Sequence, residues 1–416
     1  MTGPDKARRA LEIGFLLFLP AGYIVAPEPT WSFFFYTLLL PLIVYDLWRQ
    51  RRKKLYRDPV VLLALALIGW IALSMVWGVD QSGRMISKYL NALLTNSAFL
   101  LGGISFFALS DEVWRQRFMR WLPLAAGLGA LISFWHFYVH LCMPLDERLD
   151  GWAELRQPIL GSNVILVAGL FALRNIAAGK PGMARAWQVA AAFLILAFVI
   201  LAGSRGPLTA LTGSVLAMLI LLQPRRVGLI VLAVAAAVAV LSFVPAVHDY
   251  MATMLGRDSM RGEIWWITLE YVKERPLLGY GAANTTVLLY DNLGRPQIVM
   301  PHSIYMSALF YTGIIGLALL IALFAGLALR ALRLRDRIDR ALATALLAVP
   351  VIAGLTDISQ SIKPPTQEWY IIWLPAIFIL GLAAHERRNR SASQASVAES
   401  LHQQHGAQAE RAVSGT

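Results

Sequence analysis

"VMPHSIYMSALFYTGIIGLALL", residues 299–320, places a single ionisable group, His302, at the start of an apolar run. The run continues to residue 329 without another charge. That is longer than the roughly 20 residues a helix needs to cross the hydrocarbon core of a bilayer, so the stretch is read as a membrane span. Similar runs recur along the chain, separated by short basic or Pro/Gly-rich breaks. Composition agrees: 57% hydrophobic residues, 15% charged and a mean hydropathy of +0.59 are more apolar than a water-soluble globule of 416 residues can hide.

The expected fold class is an all-α integral membrane protein with about 12 transmembrane helices. The spans fall near residues 10–27, 30–48, 59–78, 85–109, 121–143, 158–176, 187–203, 207–222, 227–246, 302–329, 341–359 and 368–384. Residues 1–246 thus carry nine spans, 247–301 form a large outer loop, 302–384 carry three more, and 385–416 form a tail. The tail, "ERRNRSASQASVAESLHQQHGAQAERAVSGT" from residue 386, is polar and poor in aromatics, which predicts disorder.

Lys and Arg set the orientation, because short cytoplasmic loops retain positive charge during insertion. With both termini in the cytoplasm, most of the 37 Lys and Arg residues fall on the inner side, above all in "RQRRKKLYRD" (49–58) and residues 330–340. The net charge of +12 is then an insertion signal. It is not a nucleic-acid surface, since the basic clusters lie in short loops without an aromatic stacking platform. The first span follows "KARRA", but "GYIVAPEPTW" shows no small-residue cleavage pattern, so the span is expected to be retained. With Cys142 as the single cysteine, no intrachain disulfide forms.

The long outer loop stands apart from the other connections, and long loops in compact proteins tend to carry function. Within it, "SMRGEIWWITLEYVKERP" has helical spacing, with Ile264, Trp265, Leu269 and Val272 on one face, N-cap candidates Asp258 and Ser259, and a stop at Pro276. This is an amphipathic helix at the membrane surface. Arg257 and Arg261 sit at its N-terminal end, where the helix dipole already carries partial positive charge. Arginines there call for an anion, and guanidinium forks beside backbone N–H groups suit a phosphate or diphosphate. Trp265, four residues after Arg261, is placed to stack on its guanidinium.

"LAGSRGPLTALTGS" repeats the arrangement: Arg205 and Gly206 end span seven and Pro207 opens span eight. Span four adds Arg84, Lys88, Asn91 and Thr95 along one helical face. His302, after Pro301 and level with these arginines, stands at a helix N-terminus that disfavours imidazolium. A neutral imidazole there can accept a proton. His136 and His140 are spaced i and i+4 with no third ligand announced, and "GYGAAN" (279–284) lacks the strand and acidic partner of a dinucleotide fold, so it reads as a turn.

At these residues the chain resembles the O-antigen ligase family, membrane glycosyltransferases related to O-antigen polymerases. The resemblance lies in "GSRGPLTAL" (203–211), "MRGEIWWITLEYVKERPLLGYGAAN" (260–284) and "PHSIYMSALFYTGIIG" (301–316). Ser303 departs from it, since many relatives carry Asn after the histidine. The resemblance implies a multi-pass protein of the bacterial inner membrane that transfers a finished polysaccharide from undecaprenyl pyrophosphate to lipid A–core at the periplasmic leaflet, with inversion and without a cofactor or metal. It implies catalytic roles for His302, Arg205 and Arg261, and substrate contacts for Arg84, Lys88, Arg257, Trp265 and Tyr305. The rivals are the polymerase, which extends a lipid-linked repeat, a protein oligosaccharyltransferase, and a twelve-span transporter. The transporter would show related halves meeting at the midplane, and no internal repeat is evident.

Overall fold

The computed structural model describes residues 3–25, 28–50, 54–78, 82–144, 146–179, 181–223, 261–282 and 300–414, with isolated positions between them. Twelve helices are labelled in chain order: α1 (Gly3–Ala21), α2 (Thr30–Gln50), α3 (Pro59–Trp77), α4 (Gly83–Leu109), α5 (Glu112–His140), α6 (Pro158–Ala178), α7 (Met183–Leu201), α8 (Arg205–Leu222), α9 (Arg261–Glu274), α10 (Ile304–Leu332), α11 (Arg337–Thr356) and α12 (Trp369–Gln394). Among the described residues, ten of these, all but α1 and α9, are long and apolar enough to cross a membrane.

The expected first span, α1, is not among the ten. It carries Lys6, Arg8, Arg9 and Glu12, yet it packs into the protein through Leu11, Phe15, Phe18 and Leu19. Arg8 anchors it by donating to Ser105 Oγ (2.9 Å) and Ser110 Oγ (3.0 Å) of α4 and its C-cap, and by an ion pair with Asp46 of α2 (3.4 Å). The expected span at 227–246 lies outside the described residues, apart from the isolated position 244. A departure from the all-helical reading is a two-residue antiparallel pairing of Leu289–Tyr290 with Pro296–Gln297 in the outer loop.

The tail also differs from expectation. Beyond the apolar stretch that bears its label, α12 continues past Gln394 to Ser414 without interruption. Low hydrophobicity predicts that this segment builds no core, but Ala, Glu, Gln and Arg are strong helix formers and no proline follows Pro375. Backbone propensity and core formation are separate questions, and here they have different answers.

α6 and α12 form the centre of the bundle, with 78% and 83% of their most apolar windows buried by protein. Trp31, Phe35, Phe99 and Trp369 interlock beside them, Phe99 stacking on Trp369 with centroids 4.2 Å apart. Helices on the rim, such as α7 and α8, bury 28% and turn the rest outward.

The feature that shapes the face at which α10 begins is a break in that helix. Gly313 sits at φ +65°, ψ −170°, inside a helix 29 residues long. Apolar surroundings offer no water to freed backbone groups, so each must find a protein partner. They do. Tyr280 N–H donates to Phe310 O (2.9 Å), Gly281 N–H to Tyr311 O (2.8 Å), Trp70 Nε1 to Thr312 O (3.1 Å), and Ile314 N–H to Pro276 O (2.9 Å). The segment that follows α9 is thereby sewn onto the break, helped by Gly279 and Gly281, both at positive φ. The turn expected at "GYGAAN" is present in its described part, with a specific job.

A Cβ at Gly313 would approach Leu277 O to 2.0 Å in a left-handed conformation that side chains avoid. Gly313→Ala should therefore lower thermal stability by more than the roughly 1–3 kcal/mol of backbone strain alone. Scanning fluorimetry of the detergent-purified variant checks this, and an unchanged melting temperature would show that the loop does not depend on the break.

Candidate functional site

α8, α9 and α10 begin, and α11 ends, at the same membrane face. At the turn into α8, Arg148 donates from Nε to Ala202 O (3.1 Å) and from Nη2 to Ser204 Oγ (2.6 Å), and Leu149 N–H donates to Leu201 O (3.1 Å). Arg205 is half-buried in the first turn. Beside it, Gly206 backs directly onto Asp357, the residue after α11: a Cβ on Gly206 would lie 1.7 Å from Asp357 Oδ2. Only glycine lets the helix start approach the carboxylate this closely.

Asp357 has a fully buried side chain, and its Oδ1 accepts from Arg261 Nη2 at 2.9 Å. Oδ2 has no hydrogen-bond partner among the described residues. Burial raises its pKa from the ordinary carboxylate range to about 6, against the opposing pull of Arg261. The arginine at the N-terminus of α9 does meet an anion, as its sequence position demands, and in this structure the anion is Asp357. The contact uses one nitrogen of a fork that carries five N–H donors.

His302 lies between these elements. Trp265 Nε1 donates to Pro301 O (2.9 Å), tying α9 to the residue before the histidine. Ser303, the residue after it, caps α10 by accepting from Met306 N–H (3.4 Å) and donates to Gly354 O (3.1 Å) in the last turn of α11. Serine thus serves as a helix cap here, which needs no side-chain amide. Held from both sides, His302 occupies φ +50°, a conformation uncommon for non-glycine residues. Its pKa is lowered, first by partial burial and then by the nearby Arg261 cation, so it is mainly neutral at pH 7.

Trp265 does not stack on Arg261. Its indole N–H is drawn to Pro301 O, and the guanidinium to Asp357. On α9 the buried positions are Ile264 and Thr268, with Ile267, Tyr271 and Val272 packed against Tyr280 and Phe310, whereas Leu269 is exposed. Thr268 is accommodated because its hydroxyl donates to Ile264 O (2.7 Å). Arg257, Asp258 and Ser259 lie outside the described residues.

Tyr305 spends its hydroxyl on Val351 O (2.9 Å), joining α10 to α11. Arg84 and Lys88 are exposed on the first turns of α4. The next residue, Tyr89, donates to Ala282 O, so the start of α4 is fixed to the end of the segment that repairs α10. Asn91 and Thr95 do not extend an open polar stripe: Asn91 donates to Tyr36 OH (2.7 Å) and Thr95 to Asn91 O (2.8 Å). A cavity of about 40 Å³ opens between Tyr89, Ile304, Ser307, Tyr311 and Gln360. His136 and His140 stack on one another with centroids 5.4 Å apart, and His136 also packs on Trp152. Among the described residues there is no group of three metal-ligating side chains.

Residues 190–321 match the family model described as O-antigen ligase. Over this stretch the chain is similar to O-antigen ligases. The match spans Ser204, Arg205, Gly206, Arg261, His302 and Gly313, and stops short of Asp357. Similarity extends well beyond it: an O-antigen ligase of Pseudomonas aeruginosa strain PAO1 is 28% identical over 383 residues, covering 91% of each chain.

Asp357 and Arg148 are the two site residues that sequence reasoning passed over. Asp357 had a legible signal, a lone acid closing an otherwise apolar span at the same face as the arginines. Arg148 had none, because it lies far in sequence from the Ser204 it holds. If Arg261 depresses the His302 titration as the geometry requires, Arg261→Gln should raise the His302 pKa toward the ordinary value near 6.5, while burial keeps it from rising further. NMR titration of histidine-labelled protein in detergent measures this, and identical values in both proteins would separate the two groups electrostatically.

Proposed function

We propose that this chain acts as an O-antigen ligase, joining a finished polysaccharide, carried on undecaprenyl pyrophosphate, to a lipid A–core acceptor at the periplasmic face of the bacterial inner membrane. Both termini then lie in the cytoplasm. The observation that carries the reading is the meeting of Arg261, Asp357, the start of α8 and a neutral His302 at one membrane face.

The chemistry is a single displacement. An acceptor hydroxyl oxygen forms a bond to the anomeric carbon while the bond from that carbon to the diphosphate breaks, the electron pair leaving with the diphosphate oxygen. One displacement inverts the anomeric configuration. His302 accepts the hydroxyl proton. Arg261, and Arg205 at the start of α8, stabilise the charge that develops on the diphosphate. Asp357 holds Arg261 in place before the donor arrives, and its approach to the helix start of α8 keeps the two cationic elements together. Preorganised guanidiniums supply electrostatic stabilisation without a metal ion. Arg84 and Lys88, exposed at the same face, are placed to meet acceptor phosphates.

Purified protein given a polyprenyl-linked glycan should extend core lipid in preference to a second polyprenyl-linked repeat, and should do so in excess chelator. Extension of the repeat alone would make it a polymerase. Activity lost to chelator and restored by magnesium or manganese would point to an oligosaccharyltransferase.

Arg205→Ala or Arg261→Ala should slow turnover by roughly 100- to 1,000-fold in folded protein, the usual cost of one preorganised electrostatic donor. Lysine should rescue poorly at either position because it lacks the fork. His302→Gln should cost about 100-fold or more. The rate should fall with acid as His302 gains a proton and, near pH 6, as Asp357 gains one and releases Arg261. Below both titrations the log-rate slope should drop from about two to about one in His302→Gln, one protonation having been removed. An unchanged rate and slope would make His302 structural.

A further inference from the structure

α10 is 29 residues long. At about 1.5 Å per residue its ends lie roughly 40 Å apart, so its far end reaches the face opposite the candidate site. There Arg330 and Arg333 from the end of α10, and Arg387 and Arg390 from α12, line one open cavity with Leu334 and Glu386. Its volume is about 360 Å³, within the roughly 300–1,000 Å³ range of small-molecule sites.

Positive charge in this cavity exceeds what the protein neutralises. Asp58, the N-cap of α3, holds Arg330 Nη2 at 3.0 Å and Arg387 Nη1 at 2.7 Å through the same oxygen, Oδ2, while its Oδ1 accepts from Val60 N–H. Glu386 divides itself between Arg390 (3.4 Å) and the Arg335 backbone N–H (2.9 Å). Arg333 is exposed and has no ion pair among the described residues. Two carboxylates thus face four guanidiniums, and both are already committed.

A topogenic signal explains why basic residues sit in this loop and tail. It does not explain why two pairs separated by more than fifty positions of sequence converge on one cavity, nor why all four are arginine. Arginine forks match phosphate oxygens in pairs, which lysine cannot. The apolar lining contributed by Leu334 and Ala383, at the level where spans end, suits a ligand with a polar head and a hydrocarbon body. Basic pockets between spans at a membrane face are suited to anionic lipid headgroups.

We propose that this cavity binds the phosphate of an anionic phospholipid, outside the catalytic site and on the opposite membrane face. The test is native mass spectrometry of the full-length protein with phosphatidylglycerol or phosphatidylcholine, together with thermal unfolding in each lipid. Wild-type protein should retain one phosphatidylglycerol under conditions that strip phosphatidylcholine, and phosphatidylglycerol alone should raise its melting temperature. With about one kcal/mol per surface arginine, the Arg333→Gln/Arg390→Gln pair should weaken retention roughly 30-fold. The same change at exposed Arg120 should not. Equal retention of both lipids by wild-type protein, or equal melting shifts, overturns the proposal without recourse to the variants. Displacement of the lipid by inorganic phosphate at matched concentration would make this a free-anion site and sink the lipid assignment.

Discussion

Backbone hydrogen bonding in an apolar medium governs this structure. A helix satisfies its own N–H and C=O groups, so an uninterrupted α10 would have needed nothing from the rest of the chain. Gly313 interrupts it, and the freed carbonyls of Phe310, Tyr311 and Thr312 are met by Tyr280, Gly281 and Trp70. That repair fixes the segment after α9 to the membrane bundle. It also fixes α9 at its far end, and the Trp265 bond to Pro301 fixes it near its start. Arg261 is delivered to Asp357 by this chain of constraints. The break in a span is thus what fixes α9 and the segment after it beside the candidate site.

The ion pair has an uncommon balance. A fully buried carboxylate held by one guanidinium nitrogen, with its other oxygen against a glycine helix start, titrates near pH 6. Burial opposes its charge while Arg261 and the α8 N-terminus favour it. Such a carboxylate positions the arginine through one nitrogen, and among the described residues the other guanidinium donors make no hydrogen bond. His302 shares the same electrostatic setting from the other side, its protonated form disfavoured by the same guanidinium. Asp357 and His302 are therefore both coupled electrostatically to Arg261, so a change in its charge shifts the titration of each.

The two faces of the bundle handle charge differently. At the candidate site, charges are few and, Arg148 apart, each stands at or beside a helix terminus. At the opposite face, arginines are many and carboxylates few, Asp58 being shared between Arg330 and Arg387, while Arg174 has Asp339 to itself among the described residues. The first arrangement holds each charge in a fixed position. The second anchors helix ends and leaves positive charge over.

Periodicity and composition by themselves determined the membrane class, the recurrence of spans, the placement of His302, Arg205 and Arg261 at helix starts, and the presence of a helix in the outer loop. These are local properties: an apolar run of sufficient length, or an arginine at the wrong end of a dipole, is visible without knowing any neighbour. The tertiary structure alone decided that the anion beside Arg261 is Asp357, that Trp265 bonds to Pro301 instead of stacking, that α1 joins the bundle despite its charges, and that Gly313 breaks its span. Each of those depends on a partner distant in sequence. A residue's propensity records what it can do, whereas the choice among its partners is made by which chain segments the packing of the whole bundle brings within reach.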